Sequence, residues 1–283
     1  MYIFRRAADL QAFLQKRRTH GRSVGFVPTM GALHRGHLSL VDRAQQENQL
    51  TVASIFVNPT QFNQAEDLQH YPRTPGKDCE LLAEVGCGLV FLPTVAEVYP
   101  YGPDHRDHNF DFQGLDSRLE GEHRPGHFTG VAQVVSRLLQ LVRPDRLYLG
   151  QKDYQQVAVL RSMAEQLRLE LDIVQVPTVR AEDGLALSSR NERLTKEART
   201  AAPAIFQALV STSAGLTAGQ HPAKLIAKAI HDLNQTGPLK VEYFEIVDGK
   251  SLLPVADPSQ HETIVIVAAV WAGDVRLIDN LPV

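Results

Sequence analysis

The chain has 283 residues, 43% hydrophobic and 22% charged, with 29 Lys and Arg against 32 Asp and Glu and a formal net charge of -3. That length can bury one large core or two smaller ones, while the near-neutral charge lacks the electrostatic footprint of a nucleic-acid binder. Cys79 and Cys87 are too few for a disulfide framework, and neither the N-terminus nor any later apolar run resembles a signal peptide or a membrane span. Small-molecule partners and a cytoplasmic location are expected, with no nucleic acid and no membrane.

A helix over residues 7–18, with Leu10, Phe13 and Leu14 at helical spacing, precedes a buried strand over 24–27. Pro28 and Gly31 break that strand, and the spacing of Leu38, Leu40, Val41 and Ala44 predicts the next helix. Strand, glycine turn and helix in this order bring a phosphate to a helix N-terminus, where backbone N–H groups and the dipole favour an anion. From Gly31 to His37 the spacing approaches a P-loop, but His37 and Leu38 replace the phosphate lysine and the magnesium hydroxyl. What stands instead is His34 and His37, two imidazoles able to donate to phosphoryl oxygens and stabilise charge on an α-phosphate. A half-formed metal site and a pair of solvated helix caps are the other readings. No Cys, third His or carboxylate stands nearby at ligand spacing.

A second buried strand over 51–57 opens into Asn58-Pro59-Thr60-Gln61-Phe62-Asn63. At the carboxyl end of a parallel strand, Asn58 and Gln61 either face the same crevice and read a substrate's hydroxyls and carboxylate, or satisfy the turn's own backbone. A helix over 78–85 and a strand over 89–92 add another βα unit. From 93 to 127 the composition shifts to Pro, Gly, Asp and His, including His105, Asp107, His108 and Asp111, at spacings that match no tight metal site. A mobile, solvated loop is expected there. A helix over 128–142 and a strand over 146–149 lead to Gly150, and Gln151, Lys152 and Asp153 open the helix after it. Lys152 is unfavourable to a helix start, so a phosphate-binding role suits it better than a stabilising one.

After a strand over 171–176, residues 176–180 read as a hinge. The loop beyond carries Ser188, Ser189 and Arg190, suited to hold a triphosphate through hydroxyls and a planar guanidinium, and equally suited to cap a helix before Glu192. Helices over 195–213 and 222–233, then strands over 240–247, 263–270 and 275–278, predict a separate α+β domain. The expected architecture is α/β, a parallel sheet over residues 1–176 followed by a smaller domain over 177–283.

Five segments occur in a telling order: PTMGALHRGH, FVNPTQF, RPGHFTGV, GQKDYQQ and VPTVRAEDGLALSSRN, with Arg276-Leu277-Ile278-Asp279-Asn280 near the end. In these the sequence resembles the pantoate–β-alanine ligase (pantothenate synthetase) family of nucleotidyltransferases with a HIGH signature, here His34-Arg35-Gly36-His37. The resemblance implies a Rossmann-like N-terminal domain holding ATP and pantoate, a C-terminal lid domain, and a homodimer. It implies ATP-dependent condensation of pantoate with β-alanine through a pantoyl adenylate, with release of AMP and pyrophosphate. ATP is then a substrate, and Mg2+ arrives on its phosphates rather than in a protein cage.

Such chemistry must neutralise charge at the α-phosphate and hold the reactants in line. By resemblance, His34 and His37 donate to the phosphates, with His37 as proton donor, and Lys152 neutralises phosphate charge. Ser188, Ser189 and Arg190 act from the lid. Met30, Gly31, Ala32, Leu33, Arg35 and Gly36 join the histidines in lining the ATP site, with Gly150, Gln151, Lys152, Asp153, Val179 and Leu187. Gln61 and Gln156 grip pantoate beside Asn58, and Gln61 also meets β-alanine. Gln151 stands where the family often has Glu and Leu187 where Met is usual; both replacements keep size. A nucleotidylyltransferase with a phosphorylated acceptor would need basic residues where Gln61 and Gln156 stand. A small aminoacyl-tRNA synthetase relative would need an anticodon domain and a basic excess. A non-catalytic nucleotide sensor would have lost His34, His37 or Lys152.

Overall fold

A computed structural model describes residues 1–62, 65–105 and 108–283, so Asn63 and Asp107 lie outside the described residues. Two compact units divide the chain: Met1–Gly150 with Gln155–Val176, and Gln151–Tyr154 with Pro177–Val283. Through residue 176 the order is β1 (Tyr2–Phe4), α1 (Ala7–Arg18), β2 (Val24–Thr29), α2 (Arg35–Glu47), β3 (Leu50–Ile55), α3 (Ala65–His70), α4 (Pro75–Glu84), β4 (Leu89–Phe91), α5 (Val95–Val98), α6 (Glu120–His123), α7 (His127–Val142), β5 (Arg146–Gly150), α8 (Tyr154–Gln166) and β6 (Asp172–Val176).

The six strands pair in the order β1-β4-β3-β2-β5-β6, every pair parallel. A parallel sheet is covered on both faces, which is why its strands read as continuous apolar runs. Alternate side chains go to opposite sides: Val24, Phe26 and Val52 join Leu10 of α1, Val131 of α7 and Leu160 of α8, whereas Val27 and Ala53 join Leu40 and Val41 of α2 and Leu82 of α4. From the central β2 the chain builds outward through β3 and β4, then returns to β2's other side as β5. The carboxyl ends of β2 and β5, at Thr29 and Gly150, thus mark the switch in strand order where open α/β sheets bind ligands.

The segment from 93 to 127 departs from the solvated loop expected of it. Val98, Tyr99, Phe112 and Leu119 are buried in the core, and α5 and α6 are short helices within it. Gln155 of α8 pins the far end, donating from Nε2 to the carbonyls of Leu115 and Arg118, each at 2.7 Å, and accepting from the Glu120 N–H at 3.1 Å. Composition hid this because the apolar residues that anchor the segment are widely spaced and fit no helical or strand period.

In the second unit, α9 (Lys196–Ala201), α10 (Ala204–Thr217) and α11 (Pro222–Asn234) precede an antiparallel sheet of β7 (Leu239–Asp248), β8 (Ile264–Ala272) and β9 (Val275–Pro282) in that order. The single helix expected over 195–213 is two, because Pro203 lacks the N–H that would continue the ladder and its ring meets the preceding turn. Leu209, Leu225 and Leu233 of the helices pack with Phe244, Ile266 and Leu277 of the sheet.

Replacing Gln155 with Leu removes its three hydrogen bonds to residues 115–120, at about 1–3 kcal/mol, although the Arg118 carbonyl keeps the Gly121 N–H at 2.8 Å. The Glu120 amide is expected to exchange with solvent at least about tenfold faster by hydrogen-exchange measurement. Unchanged protection would mean that the segment is ordered by its apolar anchors alone.

Candidate active site

After β2 the backbone turns sharply. Gly31 and Ala32 both have positive φ, +84° and +49°, and His34 returns to extended geometry as the N-cap of α2. A helix begins with backbone donors that lack helical acceptors. Here the His34 Nδ1 accepts from the Gly36 N–H at 3.1 Å, and the His37 Nδ1 accepts from the His34 N–H at 3.3 Å, forming a reciprocal capping box made of imidazoles. The rings lie 4.1 Å apart between centroids.

This geometry decides the tautomers. A nitrogen that accepts from a backbone N–H carries no proton, so both rings hold their hydrogen on Nε2. Preceding donors are also engaged: the Gly31 N–H meets Thr29 Oγ1 at 3.2 Å, the Ala32 N–H meets Asp78 Oδ2 at 3.2 Å, and the Leu33 N–H meets Asp78 Oδ1 at 2.8 Å. The sequence pattern pointed to backbone N–H groups as the anion donors at this turn. In the structure those groups are largely spent on the protein itself, and each imidazole keeps its own N–H at Nε2.

At the end of β3, Asn58 and Gln61 form a buried amide pair, Asn58 Nδ2 donating to Gln61 Oε1 at 3.1 Å and Gln61 Nε2 approaching Met30 Sδ at 3.1 Å. Asn58 is 1% exposed and makes further bonds to Gly130 O, the Thr60 N–H and hydroxyl, and the Tyr99 hydroxyl. Burial pushes the Tyr99 phenol up to about 12, so it stays a donor to Asn58 Oδ1, at 2.8 Å. The start of α7 clamps this loop from outside. His127 Nδ1 donates to Gln61 O at 2.9 Å while its Nε2 faces Arg124 Nη1 at 3.1 Å, an arrangement that requires the neutral ring because Arg can only donate. Gly130 is required by closeness alone, since a Cβ there would lie 2.3 Å from the Thr60 carbonyl. Gln156 is half-buried in the first turn of α8 and makes no hydrogen bond to any described residue.

In the second unit, Lys152 lies in a 3-10 turn, its side chain 16% exposed and 3.4 Å from Asp153 Oδ1. Ser188 caps the 3-10 turn Ser189–Arg193 by accepting from the Arg190 N–H, and the Arg190 guanidinium forms no ion pair with any described residue. The Val179 carbonyl accepts from the Leu187 N–H at 3.0 Å, closing the loop between them. Two residues that sequence reasoning did not single out as functional hold these pieces. Asp279 binds Arg180 through both oxygens, at 2.6 and 2.9 Å, with the guanidinium stacked 3.7 Å above Phe206. Asn280 Nδ2 donates to the carbonyls of Gln151 and Lys152, at 2.9 and 2.8 Å. The closing Arg276–Asn280 stretch was the available signal. Asp78, Tyr99 and His127 were missed in the same way, their roles depending on contacts made far along the chain. Among the described residues no group of three or more His, Cys, Asp or Glu could hold a metal ion, and no helix is long and apolar enough to cross a membrane.

A family model described as pantoate-beta-alanine ligase matches residues 2–282. A pantothenate synthetase of Porphyromonas gingivalis is 50% identical over 281 residues, which cover 99% of each chain. Among solved structures, the pantothenate synthetase of Thermus thermophilus matches with a TM-score of 0.91 and 44% identity over 99% of both chains. The pantoate-beta-alanine ligase of Francisella tularensis, complexed with beta-gamma ATP and beta-alanine, matches with a TM-score of 0.81 and 34% identity over 99% of this chain and 97% of that one.

Imidazole 15N NMR is expected to show His34 and His37 as Nε2–H tautomers in the free protein; an Nδ1–H signature in either would contradict the capping box. Replacing Asp279 with Ala leaves the largely buried Arg180 without its carboxylate, a loss of about 3 kcal/mol. Urea unfolding followed through Trp271, the chain's one tryptophan, reads this directly because Trp271 lies in the same unit. An unchanged midpoint would show that the ion pair contributes nothing net.

Proposed function

The chain belongs to the pantoate-beta-alanine ligase family, and from that premise we propose that it joins pantoate to β-alanine in two steps through a pantoyl adenylate. The observation that carries the reading is the pair of tautomer-fixed imidazoles at the strand-order switch, because these donors are in place before any substrate arrives.

In the first step a pantoate carboxylate oxygen bonds to the α-phosphorus of ATP as the bond to the bridging oxygen breaks, and pyrophosphate leaves. Negative charge grows on the α-phosphoryl and on the departing group, where the Nε2–H groups of His34 and His37 donate, His37 serving as proton donor. Lys152 and Arg190 bring positive charge to the same polyanion, with Ser188 and Ser189 adding hydroxyl donors. That Arg190 is not neutralised by any carboxylate among the described residues supports this role. ATP carries its magnesium on the phosphates. In the second step the neutral amine of β-alanine bonds to the acyl carbon, gives up a proton, and AMP leaves. The relative from Francisella tularensis was solved with beta-gamma ATP and beta-alanine, which supports both as substrates.

Gln61 and Gln156 take pantoate's hydroxyls and carboxylate, as neutral amides suit a substrate whose charge must be free to react. Asn58 has its polar atoms spent on four protein partners, so we assign it to holding Gln61 in place.

Isotope exchange between ATP and pyrophosphate is expected to require pantoate and to proceed without β-alanine; pantothenate and AMP form once β-alanine is added. No exchange with ATP bound would overturn the reading. His37→Ala is expected to lower turnover about 100- to 1000-fold while half-saturation by ATP moves less than about threefold. Gln156→Ala is expected to weaken pantoate selectively, and equal weakening of ATP would assign Gln156 to the fold.

A further inference from the structure

We infer that Asp78 is a positioning residue for the adenylation step, holding the turn that sets the two imidazoles. The inference rests on the functional reading above and deepens it.

Asp78 sits in the first turn of α4, more than forty residues from the turn it holds, and is 1% exposed. A carboxylate so buried must be compensated by hydrogen bonds or a cation. Its Oδ1 accepts from the Leu33 N–H at 2.8 Å; its Oδ2 accepts from the Ala32 N–H at 3.2 Å and from the Thr74 hydroxyl at 3.3 Å. Two of three donors are thus consecutive backbone groups of the turn between β2 and α2.

That turn is costly without help. Gly31 and Ala32 occupy the left-handed region in succession, and for Ala32 this costs of order 1 kcal/mol. Successive N–H groups in such a turn converge into a concavity that attracts an anion. The anion here is the protein's own carboxylate. The carboxylate also dictates Gly31, since a Cβ there would lie 2.9 Å from Asp78 Oδ2. Directly after Leu33 comes His34, whose place as N-cap follows from where the turn delivers the chain. Without the carboxylate, two N–H groups lose their acceptor and the left-handed pair loses its restraint. The imidazole Nε2–H groups then lose their fixed aim, and displacements of about 1 Å are enough to cost roughly 100-fold in rate.

The test compares the intact protein with its Asp78→Asn variant, which keeps size but turns one acceptor into a donor facing a backbone N–H. Two readouts are used: pantoate-dependent ATP–pyrophosphate exchange and the imidazole 15N signals of His34 and His37. Turnover is expected to fall about 10- to 100-fold with half-saturation by ATP and pantoate within about threefold, and both rings are expected to leave the pure Nε2–H tautomer. Adding Ala32→Gly to the variant is expected to recover at least about threefold of the turnover, because glycine takes a positive φ without penalty. A role in bulk stability alone would show no such rescue. Unchanged turnover with unchanged imidazole signals would overturn the inference. Should Asp78→Asn not fold, Thr74→Val loosens the same carboxylate oxygen, and a fall in turnover of about two- to fivefold is expected; wild-type turnover there would overturn the inference equally. Should the wild-type protein show no exchange, the functional reading fails, and the imidazole signals of the variant still decide whether Asp78 sets the turn.

Discussion

The backbone donors at the start of α2 need acceptors, and two of them find theirs in the Nδ1 atoms of His34 and His37. This single arrangement does two things. It caps the helix, and it leaves each ring with its hydrogen on Nε2, a donor whose direction is set by the fold rather than by the ligand. Catalysis gains most from donors that need no reorganisation when charge develops. A neutral imidazole brings no net charge, however, so on the proposed mechanism the charge of a triphosphate has to be met by Lys152 and Arg190. A proton added at either Nδ1 would face a backbone N–H, so the cap and the donor geometry would fail together.

The neighbouring amides show the same economy. Asn58, Tyr99 and His127 spend their polar groups on the loop that carries Gln61, and Gly130 lets α7 approach that loop backbone to backbone. Gln155 and Gln156 are adjacent in α8 yet differ in kind. One is buried and fully engaged in tying down residues 115–120; the other makes no hydrogen bond to any described residue.

Much of the fold could be read from the chain. Buried parallel strands are continuous apolar runs, and β2, β3 and β5 announce themselves as such, each ending in a glycine, proline or amide that marks a loop. The histidine pair was legible because its spacing so nearly matched a phosphate loop while lacking that loop's lysine. What stayed hidden was everything supplied from a distance. Asp78 reads as an ordinary acid in a helix's first turn, and nothing near it in sequence says that its oxygens reach residues 32 and 33. Asp279 and Asn280 bond to residues about 100 and 130 positions earlier. The stretch from 93 to 127 misled through composition: polar and glycine-rich residues outnumber the few buried anchors that order it.

On the proposed mechanism a pantoate oxygen, and no other, becomes bonded to the α-phosphorus. Pantoate labelled with 18O in its carboxylate, turned over with ATP and β-alanine, tests this directly by mass spectrometry of the AMP released. One labelled oxygen is expected in AMP, and one fewer in pantothenate than in the starting pantoate. Unlabelled AMP, or label in pyrophosphate, would contradict that mechanism and place the bond-making step elsewhere.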